Sequence, residues 1–121
     1  MRGLPGDITP PSRFVRAAYY LNSLYPLKTT ADALASLMRL HQTFFITKGI
    51  ARPTAGTSGP DEVTQWEIYT DLKHHKFYYR TYDNLAPRMV DAAKLDYSPG
   101  KPRVLPLDQP QTFKDMTGAF K

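Results

Sequence analysis

The chain has 121 residues, 41% of them hydrophobic and 22% charged, which is enough for one small globular domain. Its net charge of +5 permits an anionic partner, but its lysines and arginines are scattered, and no run is longer than two. We therefore expect no nucleic-acid partner. The absence of cysteine excludes disulfides and thiolate metal sites. No stretch approaches the ~18 apolar residues of a membrane span, so none is expected.

A proline-rich turn near the start leads into a predicted amphipathic helix. Pro11 suits a first helical position and keeps Pro10 extended, so we expect the helix to begin at Pro11 or Ser12 and to stop before Pro26. Four apolar residues recur at helical spacing and predict a buried stripe: Phe14, Ala17, Ala18 and Leu21. A second face carries Arg13, Arg16 and Tyr20.

A second helix is predicted from a clearer start signal. Thr29, followed three residues later by Asp32, resembles a capping box, and the carboxylate also favours the positive end of the helix dipole. The helix is apolar over a wide arc, as expected for one packed on a sheet, through residues that include Leu34, Leu37, Met38 and His41. Residues 44–47 are a weak strand prediction, and residues 49–59 indicate a loop.

A β-hairpin is predicted from two alternating runs, residues 65–72 and 77–82, joined by a polar turn at 73–76. A further short strand is expected from Met89 to Leu95. His74 and His75 lie in the turn, point in opposite directions and lack further ligands at metal spacing, so no metal site is predicted. The proline-rich tail, residues 98–121, is expected to be extended or poorly ordered, and residues 1–97 form the predicted domain.

Two blocks of sequence carry a family resemblance. The first block is GLPGD at residues 3–7 with SRFVRAA at 12–18, and the second is residues 64–73 with YYRTYD at 78–83. Both blocks resemble the choloylglycine hydrolase family of bile salt hydrolases and penicillin V acylases. The resemblance runs from about residue 3 to about residue 97. It implies an α+β fold, part of the αββα sandwich of N-terminal nucleophile hydrolases, to which this chain contributes two helices and a hairpin-rich antiparallel sheet.

The resemblance also implies a reaction, the hydrolysis of linear amide C–N bonds in bile salts, penicillin V or N-acyl homoserine lactones. Members of the family attack the amide with an N-terminal cysteine whose own α-amine is the base, and they use no metal or cofactor. By alignment to the Ser-Arg-Phe-Val-Arg motif, Arg13 resembles the arginine beside that cysteine. There it lowers the thiol pKa and holds the polar end of the substrate. Arg16 is the less favoured candidate, and Asp7 is expected to stabilise the turn.

The nucleophile that the resemblance requires is not in this chain. There is no cysteine, and Arg2 is too large for ordinary removal of Met1. We therefore expect the chain to be the C-terminal part of such a hydrolase, inactive alone, whose partner is the missing N-terminal part of the same fold. The start of the chain does not have the pattern of a signal peptide. The sequence does not decide between a periplasmic and a cytoplasmic protein, or between a monomer and a homo-oligomer.

Two alternatives to a hydrolase part remain at this stage. One is a catalytically inactive remnant or binding subunit. The other is a small basic module that binds nucleic acid or protein, for which Tyr78, Tyr79 and Tyr82 around Arg80 would supply stacking surfaces. Aromatic residues interleaved in a hairpin are more often packing, and no RNA-binding motif accompanies these.

Overall fold

The computed structural model describes residues 3–53, 58–100, 102 and 104–119. It divides the chain into two compact units, Met1–Thr64 and Gln65–Lys121. The first unit contains two α-helices, and the second contains a three-stranded antiparallel sheet.

Helix α1 spans Pro10–Ser23, and Thr9 is its extended N-cap. The prediction that Pro10 stays outside the helix is wrong. Both prolines occupy the first helical turn, where their missing N–H groups leave no hydrogen bond unmade. The chain leaves the helix at Leu24, which is extended, so the predicted stop before Pro26 is confirmed.

The predicted buried stripe of α1 is wrong. Phe14 is 73% exposed and Leu21 is 51% exposed, and Ala17 and Ala18 are only partly covered. The helical spacing is correct, but the described part of the chain leaves most of this face uncovered. The buried residues of the helix are instead polar, namely Ser12 and Arg16.

Helix α2 spans Thr30–His41 and begins as predicted. The Thr29 hydroxyl oxygen accepts a hydrogen bond from the Asp32 amide at 3.0 Å and donates to the Asp32 carboxylate at 2.8 Å. The weak strand prediction for residues 44–47 is wrong, because the amide of Phe44 turns back to the His41 carbonyl. Ile46 beyond it is 2% exposed.

The sheet contains strands β1 (Trp66–Asp71), β2 (Lys76–Thr81) and β3 (Asn84–Asp91), in that order. The predicted hairpin of β1 and β2 is confirmed, and its alternation places Glu67 directly opposite Arg80. The third strand lies earlier than predicted. It ends where the Asp91 carboxylate accepts a hydrogen bond from the Ala93 amide and starts a 3₁₀ turn, Ala92–Lys94.

The tail is extended, but it is fixed to the sheet through β3. The side-chain amide of Asn84, which is 5% exposed, donates to the carbonyls of Gln109 and Pro110, both at 3.0 Å. The Arg88 guanidinium donates to the Leu107 carbonyl at 3.1 Å and stacks 4.5 Å from the centre of the Tyr79 ring. The sequence pattern did not predict this attachment.

Candidate functional site

The start of α1 is held by a network of hydrogen bonds centred on Asp7. One carboxylate oxygen accepts from the amide of Thr9 at 2.9 Å and from its hydroxyl, and the other accepts from the Ser12 hydroxyl at 2.6 Å. Hydrogen bonds to the charged form, from Ser12 first and then Thr9, lower the pKa of Asp7 to about 2. Asp7 therefore stabilises the turn as predicted, and it stays ionised at neutral pH.

Arg16 ties three segments of the first unit together. Its guanidinium donates to the carbonyls of Pro5 at 2.6 Å and Asp7 at 2.7 Å, and to the carbonyl of Thr43, just after α2, at 3.3 Å. The group is 6% exposed and lies 5.9 Å from the centre of the Phe44 ring. Its hydrogen-bond partners in the described chain are backbone carbonyls and not a carboxylate.

Arg13 lies one turn before Arg16 and has a different environment. Its amide donates to the Thr9 carbonyl at 3.0 Å, in the first hydrogen bond of α1. Its side chain is half-exposed, and it makes no hydrogen bond or ion pair with any residue that the structure describes. The two arginines of the motif thus differ in their contacts, since Arg16 is buried against backbone carbonyls and Arg13 is half-exposed.

An open cleft of about 590 Å³ lies beside the start of α1, within the first unit. Its walls come from residues 8–10, from residues 50–53 and from the segment around Pro60. Neither Arg13 nor Arg16 lines it. The cleft therefore contains neither of the two motif arginines, and its charged lining residues are Arg52 and Glu62.

A buried ion pair in the sheet was missed in the sequence. Arg80 bonds to Glu67 across the hairpin, and both side chains are at most 8% exposed. Tyr69 is a neighbour of this ion pair, and burial is the main cause that raises its pKa to about 12. The signal was available, since a four-residue turn fixes the register that makes positions 67 and 80 opposite.

The histidines show no metal-binding arrangement. The ring of His74 lies 2.7 Å from the Asp71 carboxylate at the hairpin turn, while His75 adopts a positive φ of 53°. Among residues 3–53, 58–100, 102 and 104–119, no three His, Asp or Glu side chains are placed to hold a metal ion. In the same residues, no helix is both long and apolar enough to cross a membrane.

Comparison with known families decides the assignment. The family model for linear amide C–N hydrolases of the choloylglycine hydrolase type matches residues 1–99. The chain belongs to this family. Both arginines of the SRFVR motif and the Asp7 turn lie inside the matched region.

The chain is similar to curated members that are much longer. It is 34% identical over 96 residues to a bile salt hydrolase/transferase of Bifidobacterium longum subsp. longum, covering 79% of this chain and 29% of that protein. Over 83 residues it is 37% identical to a protein of the same name from Lactiplantibacillus plantarum, covering 68% of this chain and 24% of the relative. The chain thus spans less than a third of the length of these relatives.

Solved structures confirm the fold class. The chain is similar to a mutant of the conjugated bile acid hydrolase from Clostridium perfringens, with a TM-score of 0.77, 21% identity and coverage of 96% of this chain and 34% of that one. For the penicillin V acylase from Agrobacterium tumefaciens the TM-score is 0.64, with 24% identity and coverage of 78% and 29%. The predicted α+β fold, part of an N-terminal nucleophile hydrolase sandwich, is confirmed. The first match also includes most of the tail.

Proposed function

We propose that the chain supplies the arginine-bearing part of an enzyme that hydrolyses linear amide C–N bonds, and that Arg13 is its catalytic-site residue. The observation that carries the proposal is the contrast within the family motif. Arg13 is half-exposed, with no hydrogen bond or ion pair to any described residue, whereas Arg16 is buried against three carbonyls. A guanidinium that has no partner among the described residues retains its donors for a carboxylate, a thiolate or a developing oxyanion.

The position of Arg13 supports this role. It sits in the first turn of α1, whose start is fixed by the Asp7 network and by the carbonyl contacts of Arg16. A side chain on such a rigid element keeps its geometry when substrate binds, as catalysis requires. Replacing Arg13 also opens no cavity in the core, because the residue is not buried.

The nucleophile of the proposed reaction comes from outside this chain, which contains no cysteine. An arginine can polarise and orient an amide, but it cannot form the acyl-enzyme intermediate. The proposed partner is therefore the rest of the hydrolase fold, carrying the N-terminal cysteine. Its substrate is an amide of the bile salt, penicillin V or acyl-homoserine lactone type, for which the names of the relatives favour conjugated bile salts.

The contacts weigh against the alternative of a basic nucleic-acid module. Arg80 is buried with Glu67, and Arg88 is bound to the tail and to Tyr79. Tyr79 is itself 7% exposed. Two of the four groups that would bind single strands, Tyr79 and Arg80, are therefore occupied inside the sheet.

The first test uses the chain alone. We expect incubation with a glycine-conjugated bile salt, penicillin V and a long-chain acyl-homoserine lactone to release no product above buffer. Turnover that persists through purification and is lost in Arg13→Ala would contradict the need for an external nucleophile.

The second test uses the chain assembled with the cysteine-bearing part of the Bifidobacterium relative. We expect Arg13→Ala to reduce kcat/KM for a conjugated bile salt by ten- to a hundredfold, since a charge-assisted contact is worth ~1.5–3 kcal/mol. Arg13→Lys should recover part of the loss, because it restores the charge but not the forked geometry. Unchanged kinetics in Arg13→Ala would remove Arg13 from the site.

A further inference from the structure

The open cleft of about 590 Å³ in the first unit carries two opposite charges that the proposed function does not use. Arg52 and Glu62 both line it. They are brought together by the backbone, because Glu62 pairs with Ala51, whose carbonyl accepts from the Glu62 amide at 3.0 Å. The two side chains nevertheless form no ion pair with each other, and the Glu62 carboxylate has no hydrogen-bond partner among the described residues. A ligand that carries both charges can bind to both groups at once.

A turn orients the Arg52 guanidinium. The Ile50 amide returns to the Thr47 carbonyl at 3.1 Å, and Gly49 between them takes a positive φ of 84°, which favours glycine. The Gly49 carbonyl then accepts a hydrogen bond from Arg52 Nε at 3.2 Å. Within the described chain this is the one hydrogen bond of the guanidinium, so its two terminal nitrogens remain for a bidentate contact with a carboxylate.

The other walls of the cleft are mainly apolar and stiff. Two isoleucines contribute, Ile8 at 37% and Ile50 at 62% exposure, and the rest of the apolar wall consists of Pro10, Pro53 and Pro60. A proline has a fixed φ and almost no side-chain freedom to lose, so these walls need little ordering when a ligand binds. The cleft therefore suits a ligand with an apolar side chain beside its charged groups.

We propose that this cleft binds a free α-amino acid with an apolar side chain. Arg52 donates to the α-carboxylate, Glu62 accepts from the α-ammonium group, and the isoleucine and proline walls contact the side chain. The volume lies within the usual range of small-molecule sites. Binding of an amino acid requires neither Arg13 nor a nucleophile, so this site is independent of the proposed function.

Three probes that differ in their charged groups test the site. L-leucine carries both charges, N-acetyl-L-leucine lacks the ammonium group, and L-leucinamide lacks the carboxylate. Each probe is titrated into the ¹⁵N-labelled 121-residue chain and followed by NMR. We expect L-leucine to bind with a Kd on the order of 1 mM, and each of the other probes to bind about fivefold more weakly or worse. The amides of Ile8, Ile50, Arg52 and Glu62 should shift most.

Two variants assign the charges to their partners. Arg52→Gln should weaken the binding of L-leucine about fivefold or more without weakening that of L-leucinamide, which has no carboxylate to lose a partner. Glu62→Gln should likewise weaken L-leucine without weakening N-acetyl-L-leucine. Both substituted side chains are exposed, so the fold of the unit should be retained.

Arg39→Gln and Asp61→Asn are the matched controls for these variants. Both residues are exposed in the same unit, and neither lines the cleft. Each control should change the affinity for L-leucine less than twofold. A loss in the controls equal to that in Arg52→Gln and Glu62→Gln would show that net charge, and not the cleft, governs binding.

Other outcomes would also overturn the proposal. If N-acetyl-L-leucine binds as well as L-leucine, the ligand is a simple carboxylate and the amino acid is excluded. Shifts confined to the exposed apolar residues of α1, such as Phe14 and Leu21, would show adsorption at that helix instead. Absence of any shift at tenfold the expected Kd would refute the site outright. None of these results bears on hydrolysis, and unchanged kinetics in Arg13→Ala would refute the proposed function without touching this cleft.

Discussion

Arg16 is expected to hold the start of α1, and removing its guanidinium should loosen that start locally. In Arg16→Met the aliphatic stem remains, but the carbonyls of Pro5, Asp7 and Thr43 lose their common donor. The turn before the helix and the segment after α2 are then no longer joined. The first-turn amide of Arg13, which donates to the Thr9 carbonyl, should exchange with solvent faster.

The contact distances give the expected magnitude. The bonds to Pro5 and Asp7 are short, at 2.6 and 2.7 Å, while the bond to Thr43 is long, at 3.3 Å, and adds little. Hydrogen bonds from a charged donor contribute about 1.5–3 kcal/mol each, and the lower value applies because the partly exposed carbonyls regain water. Two bonds then stabilise the closed turn by about 3 kcal/mol, which corresponds to roughly a hundredfold faster exchange.

Amide hydrogen exchange followed by NMR measures this opening residue by residue. Arg16→Lys should restore part of the protection, since an ammonium can satisfy two carbonyls but does not span to Thr43. Arg13→Met is the matched control and should change exchange in α1 less than threefold. The amide of Ala33, at the start of α2, should be unaffected in all variants. Equal acceleration by the two methionine variants, or less than fivefold acceleration by Arg16→Met, would refute the assignment.

Further predictions concern charged groups. The Asp7 carboxyl should titrate near pH 2 by NMR, and Ser12→Ala should move that pKa up toward its ordinary value. Because the folded pKa is lowered, the contribution of Asp7 to folding stability is present above about pH 4 and is lost as the pH falls through 2. Glu67→Gln should speed hydrogen exchange of the β1–β2 amides by a hundredfold or more, since breaking a buried ion pair costs about 3–5 kcal/mol. The double variant Glu67→Leu with Arg80→Met should recover most of the lost stability. An absorbance titration should show one phenol that ionises near pH 12, and this phenol should be missing in Tyr69→Phe. Because the folded pKa is raised, the contribution of Tyr69 to folding stability is complete below about pH 10 and is lost as the pH rises through 12.

Local signals in the sequence predicted the local structure well. Thr29 and Asp32 form the capping interaction that their spacing indicates, and the alternation in residues 65–82 produces the β1–β2 hairpin. These features depend on residues of one cap or one hairpin, which are close in the chain, so the local sequence contains the information that they need. The family resemblance then supplied the fold class, which the pattern alone left open.

The predictions that failed concern contacts with parts of the chain that are distant in the sequence, such as what covers the apolar face of α1. The spacing of Phe14 and Leu21 correctly indicates one side of a helix, but burial requires a partner that periodicity cannot identify. The attachment of the tail likewise depends on Asn84 and Arg88 meeting carbonyls some twenty residues away. Such contacts between distant residues leave no periodic signal, and prolines in the tail suggested only an extended chain.

The separation of the two motif arginines follows from the direction of helical side chains. In an α-helix the side chains tilt toward the N-terminus and lie over the preceding turn. Arg16 therefore reaches back over the start of α1, where the chain enters the helix and presents the carbonyls of Pro5 and Asp7. Arg13 already occupies the first turn and has no helical turn before it to cover. One residue type at two positions of SRFVR thus divides into a buried arginine that bonds backbone carbonyls and a half-exposed arginine, and the order in the chain decides which is which.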